Sequence, residues 1–172
     1  MGLLSYVRDK RIASLSQSTA SGVGKDVYTD WVAITEEQGG YYSALTISKT
    51  LHGVGLAFRC KTSDQKKMIC LSISDKAEKY FFRPGNRYKI RVQFENSIVI
   101  YTYMRAYKQR HATIIDIMDD FTHNIFDSEK LKLQYLGDSG KKITMKFSLK
   151  GSAAAINSTI ARAKQHKEEI NT

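Results

Sequence analysis

The run from Ile143 to Ala163, ITMKFSLKGSAAAINSTIARA, constrains the fold more than any other part of this chain. Ile143, Met145, Phe147 and Leu149 alternate with Thr144, Lys146 and Ser148, the period of two that a strand shows when one face is buried. At Gly151-Ser152 the spacing changes. Ser152 is the expected N-cap, and Ile156 and Ile160 follow at i and i+4 among small residues, which predicts a helix over 151–170. The implied architecture is a β domain closed by a strand, a glycine and a helix.

Upstream, alternation predicts strands near 28–35, 41–50, 55–61, 67–74, 87–95, 98–107 and 111–117, with the last at 142–150. Gly39-Gly40, His52-Gly53, Ser63-Asp64, Pro84-Gly85-Asn86 and Asn96-Ser97 supply the turns between them. The segment MDDFTHNIFDSEKLKLQYL fits no single period. Asp119 or Asp120 is a candidate cap for a short helix there, and Ser128 to Leu131 a candidate start for another. Seven or eight strands plus a terminal helix predict a mainly β fold, a two-sheet antiparallel β-sandwich with the helix along one edge. With 172 residues, 42% of them hydrophobic, the chain is expected to form one core. Residues 1–26 read as a leader, partly helical or flexible, and 27–172 as the single sandwich domain ending in the helix.

Lys and Arg number 27 against 17 Asp and Glu, a net charge of +10. That balance favours anionic partners. No five basic residues are consecutive, so a polybasic tail is excluded. No apolar run approaches the ~18 residues of a membrane-spanning helix. Leu3-Leu4 is followed by Arg8, Lys10 and Arg11 rather than an apolar core, so no secretory signal is read. The chain is expected in a cytoplasm as written, or in a periplasm if a leader has been removed.

The chemistry-bearing residues are sparse. Pairing of the 55–61 and 67–74 strands about Gln65 places Cys60 opposite Cys70. Cross-strand Cβ atoms lie ~4.5–5.5 Å apart, longer than the ~3.8 Å of a disulfide. Two buried free thiols are expected, with a strained bridge as the alternative. His52, His111, His123 and His166 form no metal-ligand spacing with each other or with cysteine. Gly53-Val54-Gly55 lacks the third glycine and the helix of a dinucleotide site. No Gly-x-Ser-x-Gly elbow is present. Asp116, Asp119 and Asp120 near His123 are the one acid–base cluster, and a solvated, capped helix start is the better account of them. No catalytic residue, metal or cofactor is expected.

The binding candidate is the hairpin from Arg87 to Tyr107. Tyr88, Ile90, Val92 and Phe94 form its apolar side. A three-residue turn at 95–97 pairs Phe94 with Ile98, Val92 with Ile100, Arg91 with Tyr101, Lys89 with Tyr103 and Arg87 with Arg105. The polar side is then a platform of Arg87, Lys89, Arg91, Tyr101, Tyr103, Arg105 and Tyr107. Cations beside aromatic rings suit bases with phosphates, or sugars carrying acidic groups. Cross-strand tyrosine pairs that merely stabilise a sheet are the competing explanation.

Trp31, the ALTI of residues 44–47, LAFRC at 56–60, KIRVQFEN at 89–96, KLKLQYL at 130–136 and the closing KFSLKGSAAAI resemble, in this order, the VasI-like proteins associated with type VI secretion loci. More distantly the chain resembles the invasion-associated locus B proteins. The likeness spans residues 31–163. It departs in that no secretory leader is read and no cysteine follows Cys70. The resemblance implies a β-sandwich ending in a strand, a glycine and an alanine-rich helix, with an accessory or interaction role and no catalytic residues. A bacterial envelope, secretion-associated or mobile-element setting goes with it. The expected function is non-enzymatic binding of a protein or anionic partner; the alternative is a nucleic-acid-binding module that uses the Tyr/Arg/Lys face.

Overall fold

The computed structural model describes residues 24–74, 82–95 and 99–172. The elements in chain order are β1 (Lys25–Tyr28), β2 (Trp31–Ile34), β3 (Tyr41–Ile47), β4 (Val54–Lys61), β5 (Lys67–Ile73), β6 (Arg87–Phe94), β7 (Val99–Lys108), β8 (His111–Ile114), α1 (Met118–Asn124), β9 (Lys130–Leu136), β10 (Lys142–Ser148) and α2 (Ser152–Ile170). The ten strands among the described residues belong to one sheet, in the order β1-β2-β3-β4-β5-β8-β7-β6-β9-β10. Every neighbouring pair is antiparallel.

The expected pair of sheets is therefore corrected to one continuous ladder. The strand responsible is β8, which pairs with β5 on one side and β7 on the other. Ten twisted strands curl, here into a half-barrel whose last strand returns to the first turn. Lys49 N–H donates to the Lys146 carbonyl at 2.7 Å, Asp30 N–H to that of Lys150 at 3.2 Å, and the Trp31 indole to that of Ser148 at 2.8 Å. Trp31 is fully buried at this seam.

The concave face holds the main core, with Phe58, Ile69, Leu71, Ile90, Phe94, Met104, Leu133 and Phe147. Part of the concavity is filled by α2, which buries Ala155, Ile156, Thr159 and Ala163 and packs on β2, β3 and β4. Gln65 Nε2 donates to the Ala163 carbonyl at 3.1 Å, and Arg162 pairs with Asp26. Farther along the helix, His166 Nδ1 sits 3.2 Å from both the Tyr42 hydroxyl and Glu37 Oε2.

The strand-to-helix switch lies at Gly151, with a correction to its cap. Gly151 itself is the N-cap at φ +83°, and no side chain caps the helix. A Cβ there would lie 2.0 Å from the Tyr28 carbonyl oxygen, so only glycine fits. Ser152 is instead buried inside the first turn.

Three further readings change. The 28–35 strand is two strands about a turn at Thr29-Asp30, where Thr29 takes φ +53°. Among the described residues β1 includes Lys25 and Asp26, which the sequence reading placed in the leader. The ambiguous 118–136 segment is a helix and then a strand. Ile117 is the N-cap of α1, without a side-chain bond, while Asp119 and Asp120 lie in its first turn, where carboxylates suit the macrodipole. No second helix starts at Ser128. Leu131, Leu133 and Tyr135 alternate inward along β9, between β6 and β10. The expected Asn96-Ser97 turn and the Phe94–Ile98 pair, like most of the leader, lie outside the described residues.

The cysteine register is also shifted. Cys70 lies opposite Ala57, and Cys60 opposite Lys67. Alternation then puts Cys60 on the concave side with Phe58 and Cys70 on the outer side. Both are buried and free, and the sheet between them excludes a bridge. Among the described residues no helix is long and apolar enough to cross a membrane.

Candidate functional site

The outer face of the sheet changes character from one end to the other. Val27, Val32, Leu45, Ala57, Cys70, Thr113, Arg105 and Arg87 are successive register partners from β1 to β6. Cross-strand partners share a face, so this row crosses the outer surface from aliphatic to cationic.

At the cationic end the hairpin pairs in the expected register: Arg87 with Arg105, Lys89 with Tyr103, Arg91 with Tyr101 and Val92 with Ile100. Strict alternation buries Tyr88, Ile90, Val92 and Phe94 and sends Arg87, Lys89, Tyr101, Tyr103 and Arg105 into solvent. Tyr101 is 66% exposed. The Arg87 guanidinium lies 4.6 Å above the Tyr103 ring. Arg91 is half-buried and held; its Nη1 donates to Gln93 Oε1 at 2.8 Å and to Gln134 Oε1 at 3.1 Å. Gln134 Nε2 in turn donates to Thr144 Oγ1 at 3.0 Å.

That chain of hydrogen bonds reaches residues the sequence reasoning missed. Lys130, Lys132 and Gln134 on β9, and Lys142, Thr144 and Lys146 on β10, point outward beside the hairpin. The signal was present in Lys130-Leu131-Lys132-Leu133-Gln134-Tyr135, an alternation masked by the candidate helix start at Ser128. None of the outward positions of β6, β7, β9 and β10 carries a carboxylate. Lys130 pairs with Glu95 at the sheet's end. Among the described residues Arg87, Lys89, Arg91, Arg105, Lys132, Lys142 and Lys146 form no ion pair. Lys132 faces Lys146, and Arg87 faces Arg105, as direct register partners. Like charges so placed destabilise a sheet.

Tyr107 stands apart from the other six predicted residues. A bulge between Ala106 and Lys108 turns it toward β8, where its ring stacks on His111 with centroids 5.8 Å apart. Burial pushes its hydroxyl pKa up, and the nearby Cys70 adds to this. Burial also raises the Cys70 thiol, whose Sγ sits 3.7 Å from Thr113 Oγ1. Ser72 Oγ lies 3.1 Å from His111 Nδ1. This contact resembles half of a nucleophilic triad, but its electrostatics run the wrong way. Burial lowers the His111 pKa, and Lys108, Arg59 and Arg110 lower it further. Cations disfavour the imidazolium that a general base must become.

Asp116, Asp119, Asp120 and His123 are all exposed, Asp116 before α1, the other two acids in its first turn and His123 in its last. No group of three His, Cys, Asp or Glu among the described residues is arranged to hold a metal ion.

Fold and face together define a class: a mainly β chain with one curled antiparallel sheet, a trailing helix, and an open cationic surface on the sheet's outside. No protein-family model matches the sequence, and no curated protein does. Among solved structures the chain is similar to invasion associated protein B from Bartonella henselae, with a TM-score of 0.54 and 15% identity over 80% of this chain and 96% of that one. At that identity the likeness is one of fold.

Proposed function

We propose that this protein is a non-enzymatic binding protein that takes an anionic partner on the outer face of β10, β9, β6 and β7. One observation carries the reading: these strands set cation beside cation with no carboxylate among them. Within the fold that arrangement has only a cost, which a bound anion offsets. Arg91, Tyr101, Lys89 and Arg105 are the central contacts. An accessory role in a bacterial envelope or secretion setting, of the VasI-like kind, is the context we assign to it.

The test is retention on an immobilised polyanion across a salt series. Wild type should bind at low ionic strength and elute as salt rises. The double substitution Arg91→Ala, Tyr101→Ala should keep the melting temperature within a few degrees and abolish retention. Unchanged retention in that variant would move the site elsewhere.

Nucleic acid is the second reading, and the open ring of Tyr101 favours it, since bases stack on such rings. It requires log affinity for a mixed oligonucleotide to fall linearly with log salt. No mobility shift at 50 mM salt would remove it.

A further inference from the structure

The arrangement of the cations indicates the shape of the partner, given the anion-binding reading above. The pair Lys132 and Lys146 lies across β9 and β10, and Arg87 and Arg105 across β6 and β7. Lys132 is registered to Gln93 on β6, six residues from Arg87 along the same strand. At ~3.4 Å per residue and ~4.8 Å between strands, the two pairs are about 22 Å apart on a diagonal. Arg91 and Lys89 lie between them. A small anion reaches one pair only. To neutralise both repulsive pairs at once, a ligand must be extended and carry repeated charges.

The rings decide between kinds of linear polyanion. Single-strand binders offer successive ring faces to successive bases. Here Arg87 occupies one face of the Tyr103 ring and His111 one face of the Tyr107 ring, while both side chains stay partly exposed. Among the described residues only Tyr101 of the three has no cation or ring stacked on it. What lies along the track instead is neutral hydrogen-bonding capacity: Gln93, Gln134 and Thr144 around the fixed guanidinium of Arg91. Arginine forks suit carboxylates and phosphates, and the like-shaped sulfates, so the choice rests on the amides and hydroxyls, which suit sugar hydroxyls.

We infer that the outer face is a track for an extended acidic polysaccharide, one whose sugars carry carboxylates or sulfates and which spans about 22 Å between the two like-charged pairs.

The experiment is calorimetric titration of the full chain with length-defined heparin oligosaccharides from disaccharide to decasaccharide, alongside oligo(dT) of matching contour lengths. Affinity should rise at least tenfold between the disaccharide and the length that spans the track, then level off. Lys132→Glu with Lys146→Glu should flatten that rise, with folding checked by circular dichroism. Oligo(dT) of equal length should bind at least tenfold more weakly. Equal binding of oligo(dT) would overturn the choice of polysaccharide. Affinity independent of length would overturn the track and leave the anion-binding reading standing. No binding of any polyanion would remove both.

Discussion

The two ends of the sheet share one core and differ on their outer faces. Along β2 to β5 the outward side chains include Val32, Ile34, Ala57 and Cys70, which are 2%, 3%, 4% and 1% exposed. Val32 and Ile34 pack with Leu45 and Ile47 into a second small hydrophobic cluster. Along β6 and β7 the equivalent positions are Arg87, Lys89, Tyr101, Tyr103 and Arg105, all open to solvent. The first half therefore buries apolar side chains on both faces, the second on its concave face, with only polar and cation–ring contacts outside. Where the outer face contributes little to stability, its sequence is free to answer to a partner. The facing pairs of like charge, Lys132 with Lys146 and Arg87 with Arg105, lie on this less constrained face.

The largest effect that would break this comparison comes from a matched pair of charges. Ala57→Lys should cost about 3–5 kcal/mol by burying an unpaired ammonium. Tyr101→Lys, at an exposed position, should stay within about 1 kcal/mol. Urea midpoints would measure both, and similar values would erase the distinction between the halves.

A truncation series sharpens it at smaller amplitude. Ile34→Ala should lose about 2–4 kcal/mol through a cavity in the outer cluster, whereas Arg105→Ala should fall within about 0.5 kcal/mol of wild type. Equal losses in thermal melts would mean that the cationic half also bears stability.

Smaller still, and opposite in sign, is Lys132→Glu. It converts a like-charge pair with Lys146 into an attractive one and should stabilise by about 0.2–1 kcal/mol at low salt, less as salt rises. The same variant should bind polyanions more weakly. A loss of stability on this substitution would show that the pair is not repulsive in the folded sheet.

The smallest effect concerns His111, at the border between the halves. Its folded-state pKa lies below the ordinary value of 6.5, so the unfolded chain takes up a proton first as pH falls. Stability should be fully present above about pH 6.5 and decline as pH falls through the interval between that value and the folded pKa. His111→Gln should lessen that decline in stability curves from pH 7 to 5. An unchanged acid limb would assign the pH dependence to other groups.

Some of this was legible from local pattern alone. The Arg87–Phe94 strand alternates without exception, and its expected pairing with Tyr101, Tyr103 and Arg105 is the observed one. The Cys60–Cys70 register was not, because Gln65 at φ +61° helps form a turn centred nearer to Ser63-Asp64. A shift of three residues between partners then sends the two thiols to opposite faces. The contribution of β9 and β10 to the cationic face was hidden for another reason. KLKLQYL alternates, but the partner that makes it a strand, β6, lies some forty residues earlier.

By itself the sequence determined which residues alternate, where glycine must interrupt a strand, and that cations outnumber acids. These are local or additive properties, set by side-chain period, backbone sterics and charge count. Only the tertiary structure decided that β8 joins two sets of strands into one curled sheet. It alone set Lys132 beside Lys146, and it left both faces of the Tyr101 ring open while Arg87 and His111 each took one face of Tyr103 and Tyr107. Those outcomes depend on pairings between distant segments, which are selected by the burial of a shared core and not by any one segment's own preference.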